Sequence, residues 1–234
     1  MDPQHPLDNP IWSSLCTSHS ALAYGDSRAR RYSPEIGPLS GVPVWTESNV
    51  NALAEFTNPG DVVVLFTDGP KEAPAGWELV REGPLVQMVQ ESASLPELTV
   101  ETRKRIVRLY EQHAPAMVEL ATLTEPGPFR NGTHRLGCFW GILEDGRLLA
   151  MAGQRTQTPE YVEVSAVCTH PDARGRGYAT ALIATVCEEI RCRGKTPFLH
   201  SWADNHGAIR VYESLGFVVS RKLHVVALRL LPKA

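Results

Sequence analysis

Apolar and polar positions are weakly patterned up to about residue 44, a stretch rich in Pro, Ser and Arg, and regularly patterned beyond it. TESNVNALAEFTNPGD places Val50, Leu53, Ala54 and Thr57 on one face of a short helix that Asn58-Pro59-Gly60 ends. DVVVLFTDG reads as a buried strand closed by Asp68-Gly69, and PLVQMVQ, residues 84–90, as another. A boundary is expected near Ser92 to Pro96. It separates an N-terminal α/β portion, residues 1–95, from a second portion, residues 96–234.

The second portion alternates strand and helix periods. ELTVETRKRIVRLY is expected to begin with a strand, and HAPAMVELATLT to form a helix with Ala116, Leu120 and Leu123 on one side. TEPGPFRNG is a loop that no regular element accommodates. LGCFWGILEDGRLLAMAGQRT predicts a hairpin turning at Glu144-Asp145-Gly146-Arg147. YVEVSAVCTH and TPFLHSW read as strands. Between them, Leu182, Val186 and Ile190 recur four apart on a helix that starts near Gly177 and stops at Gly194. NHGAIRVYESLGF is a second helix, with Ala208, Val211, Tyr212 and Leu215 on one face, and FVVSRKLHVVALRL closes the chain as one or two strands. The fold class is α/β, with a mixed sheet.

Composition narrows the function classes. The chain has 234 residues, 43% apolar and 21% charged, enough for a sizeable core, and a net charge of −3. Neither nucleic acid nor membrane is indicated as a partner. Five cysteines without a CxxC motif argue against an oxidising compartment. The start, MDPQHPLDNP, has neither a basic n-region nor an apolar h-region, so no signal peptide and a cytoplasmic location are expected. No cysteine or histidine pairs fall at zinc-motif spacing, so no metal is expected.

The chemistry concentrates in VCTHPDARGRGYATALIATVCEEI, Val167 to Ile190, where a strand feeds a helix through Arg174-Gly175-Arg176-Gly177. Glycine permits positive φ and close backbone approach. The first turn of a helix has N–H groups without intrahelical partners, which attract anions. The turn is suited to a phosphate or pyrophosphate; a plain strand-to-helix turn with solvated arginines is the alternative. A dinucleotide fingerprint fails, because Thr180 stands where the third glycine belongs and Lys195 where the acidic residue belongs. G-x-x-x-x-G-K-S/T, G-x-S-x-G and H-E-x-x-H are all absent.

Arg174 to Ala179 resembles the [RQ]-x-x-G-x-[GA] signature of the GNAT acetyltransferase superfamily. The preceding strand Val164–Pro171, then Asn205, Tyr212 and Gly216-Phe217, follow in that superfamily's order. The resemblance covers roughly residues 97–234 and is nearest to the glycine-N-acyltransferase-like branch, in which an extra N-terminal α/β portion precedes the catalytic half. That extra portion is either a degenerate copy of the half-fold or a cap over the acceptor site.

The resemblance implies acetyl-CoA, or another acyl-CoA, as cosubstrate. Its pyrophosphate is implied to lie on the backbone of Arg174, Gly175, Arg176, Gly177, Tyr178 and Ala179. Its pantetheine is implied to pair with Val167, Cys168 and Thr169 and to meet Asn205, itself a helix N-cap. The sheet is expected to splay beside the strand ending at Thr169. Tyr212 is the implied acid for the departing thiolate, or else a core aromatic. Glu163 is the candidate base, since an extended strand puts it on the face of Val167 and Thr169; a strand-edge glutamate facing water is the alternative. The expected activity is N-acetyl transfer to a small primary amine by direct attack, with homodimerisation left open. A non-catalytic acyl-CoA sensor and an enzyme for longer acyl chains are the competing readings.

Overall fold

In the computed structural model, which describes residues 5–92, 95 and 97–232, the helices that start at Pro10, Glu47, Val100 and His206 begin where side chains cap them. Asn9 accepts from the Trp12 N–H ahead of α1 (Pro10–Cys16), and Thr46 from the Asn49 N–H ahead of α2 (Glu47–Ala52). Thr99 caps α3 (Val100–Arg105) through the Thr102 N–H. ELTVETRKRIVRLY therefore opens with a helix and not with the expected strand: a Thr cap, an acidic first turn and a basic last turn outweigh its alternation. α4 (Ala114–Thr124) ends at Glu125 in the left-handed region, with φ 49°. α5 (Tyr178–Cys192) and α6 (His206–Ser214) follow.

Strands β1 (Ala23–Gly25), β2 (Arg30–Tyr32) and β3 (Ser40–Gly41) make a small antiparallel sheet within the weakly patterned start. The main sheet contains β4 (Val62–Thr67), β5 (Trp77–Gln90), β6 (Ile106–Leu109) and β7 (Phe139–Glu144). β8 (Arg147–Gln157), β9 (Tyr161–Thr169), β10 (Thr196–Trp202) and β11 (Phe217–Leu230) complete it, in the order β4-β11-β5-β10-β9-β8-β7-β6. The β9–β10 pair is parallel and its neighbours β5–β10 and β8–β9 are antiparallel, so the sheet is mixed. β5 starts seven residues before the expected PLVQMVQ run because it pairs with β11 as far as Trp77↔Leu230. β4 lies beside β11, and β5 between β11 and β10, so residues before and after 95 contribute to one sheet. The boundary expected at Ser92 to Pro96 falls on the connection from β5 to α3, where residues 93, 94 and 96 lie outside the described residues.

The two faces of the sheet bury different partners. On one face, Ala150, Ala152, Val162 and Val164 pack against Leu182, Ile183, Val186 and Ile190 of α5, with Tyr212 of α6 alongside. On the other, Met151, Ala166 and Cys168 pack against Met117 and Leu120 of α4. Farther along that second face, Ile11 and Leu15 of α1 and Tyr32 cover Val64, Leu85 and Val225. No helix among the described residues is long and apolar enough to cross a membrane.

Two irregularities shape the centre. β9 and β10 pair only through Thr196↔Tyr161, Pro197↔Val162 and Phe198↔Glu163, after which the parallel strands diverge. The backbone edge of β9 facing β10 is thus without a strand partner from Val164 to Thr169. β9 also holds a bulge: it advances three residues, Ser165 to Cys168, while β8 advances two, Met151 to Gly153. Ala166, with φ 52°, is the residue in the left-handed region there.

Candidate active site

The divergence of β9 from β10 opens a cavity of about 810 Å³ that passes from one face of the sheet to the other. On the α5 face it is lined by Val167, Ala179, Ile183, Asn205 and Tyr212. On the opposite face it meets Phe66, Arg81, Leu85, Arg155, His200 and the loop Glu125–Phe129. Of the residues singled out from the sequence, Val167, Cys168, Thr169, Ala179, Asn205 and Tyr212 all line this one cavity, whereas Glu163 and the turn residues Arg174, Gly175, Arg176, Gly177 and Tyr178 do not.

At the head of α5, Gly175 and Gly177 adopt φ 76° and 75°, and a Cβ at either would meet nothing within 4 Å. Glycine is required there by conformation and not by crowding. No side chain caps the helix at Gly177, which leaves first-turn amides of a 15-residue helix open to a ligand. Arg176 donates to the Asp172 carbonyl and faces Glu144 at 3.5 Å, and both Arg174 and Arg176 are exposed. The Tyr178 ring is buried, while its hydroxyl reaches the surface, where it accepts from Arg105 at 3.3 Å.

Tyr212 sits on the cavity side of α6, with its ring edge against Phe217 at 6.2 Å. Burial pushes its phenol up to about 12, so the group carries its proton throughout the neutral range. Asn205 caps α6, accepting from the Ala208 N–H at 3.2 Å, as a helix N-cap should. Burial pushes the Cys168 thiol up to about 11, which leaves it without nucleophilic thiolate at neutral pH.

Glu163 departs from the extended-strand expectation. The bulge at Ala166 reverses the alternation, so Glu163 and Val167 lie on opposite faces: Val167 packs on the α5 side with Val162 and Val164. The Glu163 side chain is fully buried, so the alternative of an edge glutamate facing water is also excluded. Its Oε1 accepts from Arg155 Nη2 at 2.5 Å and His200 Nδ1 at 2.7 Å. Its Oε2 accepts from Arg155 Nε at 3.0 Å and the Thr156 N–H at 3.2 Å. A carboxylate has about four acceptor sites, and all are taken. Burial by itself would raise its pKa. Arg155 and His200 outweigh burial and hold the carboxyl well below the ordinary carboxylate range.

Arg155 and His200 are the polar residues that sequence reasoning missed. His200 also meets the Gln87 side-chain amide at 3.1 Å, and Gln87 meets the exposed Ser220, so a polar chain crosses β11, β5, β10, β9 and β8. Each residue stands on a different strand, and no local spacing encodes their meeting. Among the described residues, no group of three or more His, Cys, Asp or Glu is arranged to hold a metal.

Known proteins match this architecture. The Acetyltransferase (GNAT) family model matches residues 103–217. A crystal structure assigned to the GNAT family of acetyltransferases, from Novosphingobium aromaticivorans DSM 12444, is 39% identical over 98% of this chain and 100% of that one, with a TM-score of 0.89. A GCN5-related N-acetyltransferase-like protein from Streptococcus suis 89/1591 shares the fold at 14% identity, over 97% and 94% of the two chains, with a TM-score of 0.56. A GCN5-related N-acetyltransferase from Kribbella flavida does so at 16%, over 95% and 96%, also with 0.56. No curated protein matches the chain. The full-length likeness at 39% identity, together with the glycine turn and the splayed sheet, establishes that the chain belongs to the GNAT family of acetyltransferases.

Proposed function

We propose that the protein transfers an acetyl group from acetyl-CoA to the primary amine of a small molecule, by direct attack within a ternary complex. The observation that carries this reading is the cavity through the sheet, which joins Ala179 in the first turn of α5 and Tyr212 on one face to a separate chamber on the other. The uncapped start of α5 suits a pyrophosphate at Arg174 to Ala179. The unpaired edge of β9 from Val167 to Thr169 suits the amide groups of a pantetheine arm, which adds to it like a strand. Residues before 95 act as a cap for the acceptor, since Leu39, Val64, Phe66, Arg81 and Leu85 wall the second chamber. Five free cysteines suit a reducing, cytoplasmic setting.

Acetyl-CoA, when bound, supplies a thioester carbonyl. The edge N–H groups of β9 are the donors placed to receive its oxygen as negative charge develops. The amine must be neutral to attack, and a lysine-type amine has a pKa of about 10.4. Glu163 has no free lone pair with which to take that proton, so the open cavity delivers it to solvent. The new C–N bond replaces the C–S bond, the Tyr212 hydroxyl protonates the departing thiolate, and the phenolate then regains a proton from solvent through the cavity.

Calorimetric titration with coenzyme A, followed by thiol release from acetyl-CoA over a panel of amines, tests the reading. Binding with amine-dependent thiol release is expected. Binding without turnover identifies an acyl-CoA sensor, and faster turnover of longer acyl chains identifies a different donor.

A further inference from the structure

The charged group that the acceptor chamber presents to a ligand is Arg155 and not the glutamate behind it. Glu163 has no exposed surface, whereas the Arg155 side chain retains 13% and lines the chamber. Two of the three guanidinium nitrogens, Nε and Nη2, are committed to Glu163. The third, Nη1, has no hydrogen-bond partner among the described residues and lies toward the Glu125–Phe129 loop, 3.9 Å from where a Cβ on Gly127 would be. The bidentate pair fixes the guanidinium plane, and His200, bonded to the same carboxylate, fixes the carboxylate. This is a pre-organised donor with an unused N–H pair facing a cavity. The Arg155 side chain is only 13% exposed, so a ligand's acceptor oxygen meets this charged donor in a largely desolvated setting, where such a bond is strong.

A second cation borders the same chamber. The Arg81 guanidinium lies 4.5 Å over the Trp202 ring and makes no ion pair with the described residues. Its cross-strand neighbour is Ala227, on the face that carries Leu85 and Val225. The chamber is thus bordered by two guanidinium groups against one carboxylate, that of Glu125 on the exposed rim.

We infer that Arg155, positioned by Glu163 and His200, recognises an anionic oxygen group next to the reacting amine, so that the acceptor is an amine bearing a carboxylate. Arg155 is the specificity residue, and Glu163 and His200 are positioning residues. The inference rests on the acyl-transfer reading above and deepens it.

The test uses pairs of amines that differ by one carboxylate: glycine and methylamine, alanine and ethylamine, phenylalanine and phenethylamine. Thiol release is compared per neutral amine, because a neighbouring carboxylate alters the amine's own titration. A charge-assisted contact of this kind makes kcat/KM for the carboxylated member higher by about 10- to 100-fold. Arg155→Met removes that preference by raising KM for the carboxylated member, while coenzyme A affinity stays unchanged. Because this substitution strands the Glu163 carboxylate, the double variant Arg155→Met/Glu163→Leu is measured beside it. Wild-type protein that accepts both members of each pair equally, or variants that keep the preference, overturn the inference while leaving acyl transfer intact. Coenzyme A binding with no turnover of any amine removes the acyl-transfer reading, and the inference with it.

Discussion

Replacing Gly177 by alanine separates a helix start that holds an anion from one that merely turns the chain. Gly177 has φ 75°, and its hypothetical Cβ points into open space, so the cost of alanine is conformational: about 1–2 kcal/mol for a left-handed non-glycine residue. Gly194 is a matched control on the same helix. It has φ 71° and equally open space, but it follows the C-terminus of α5, about 22 Å from the turn at 1.5 Å per residue. Gly194→Ala therefore carries a similar strain without touching the cofactor surface. If the turn relaxes to escape the strain at Gly177, the amides of Tyr178 and Ala179 lose their aim. Losing one charge-assisted backbone contact weakens coenzyme A binding by about 10- to 100-fold. Urea unfolding and calorimetric titration are measured on both variants. Both are expected to lose about the same stability, and only Gly177→Ala to lose affinity. Equal coenzyme A affinity in the two variants refutes the assignment of these amides to the pyrophosphate.

Tyr212→Phe is expected to lower kcat by about 10²-fold or more with little change in coenzyme A binding; since the phenol is pushed up to about 12, the wild-type rate does not fall between pH 7 and 10. Full turnover of the phenylalanine variant across that range removes the acid role. For Glu163→Gln the rise of rate with pH is expected to keep its shape, because the acceptor amine sets it. Loss of an acid limb in the variant returns the base role to Glu163. His19 is buried with Ser14 and Tyr32, and desolvation lowers its pKa to about 4. The unfolded chain, at about 6.5, takes up the proton first as pH falls, so stability is full above pH 6.5 and drains away toward pH 4. Urea unfolding is expected to lose about 2 kcal/mol between pH 8 and 5 from this group, and His19→Gln to flatten that slope.

Local signals in the sequence located what local chemistry builds. Asn205 and Gly177 stand at the two helix starts where capping and positive φ require them, and the hairpin turns at Asp145-Gly146 as its dipeptide implies. In the α3 segment the apolar positions point to a strand, while the Thr99 cap and the charge order decide the conformation as a helix. Arg155, Gln87 and His200 carried no signal. Their proximity to Glu163 depends on the order in which strands join the sheet, and β5 enters between β10 and β11 from more than a hundred residues upstream.

One extra residue in β9 accounts for the division of labour between the two faces. Were β9 regular, Glu163 and Val167 would share a face, and a carboxylate would stand near the position proposed for the thioester. Ala166 absorbs the bulge at φ 52°, a cost that a small side chain packed near Met117 and Leu120 sustains. Beyond it, Val167 turns toward α5 and the side proposed for the cofactor, while Glu163 stays with Arg155 and His200 on the other. Backbone pairing between β9 and β10 also ends at Glu163↔Phe198, and the next link between these strands is the side-chain bond from Glu163 to His200. The carboxylate therefore closes the apex of the splay from behind. Four hydrogen bonds hold it there, and the same bonds that make it a poor base make it a firm support for the guanidinium facing the acceptor chamber.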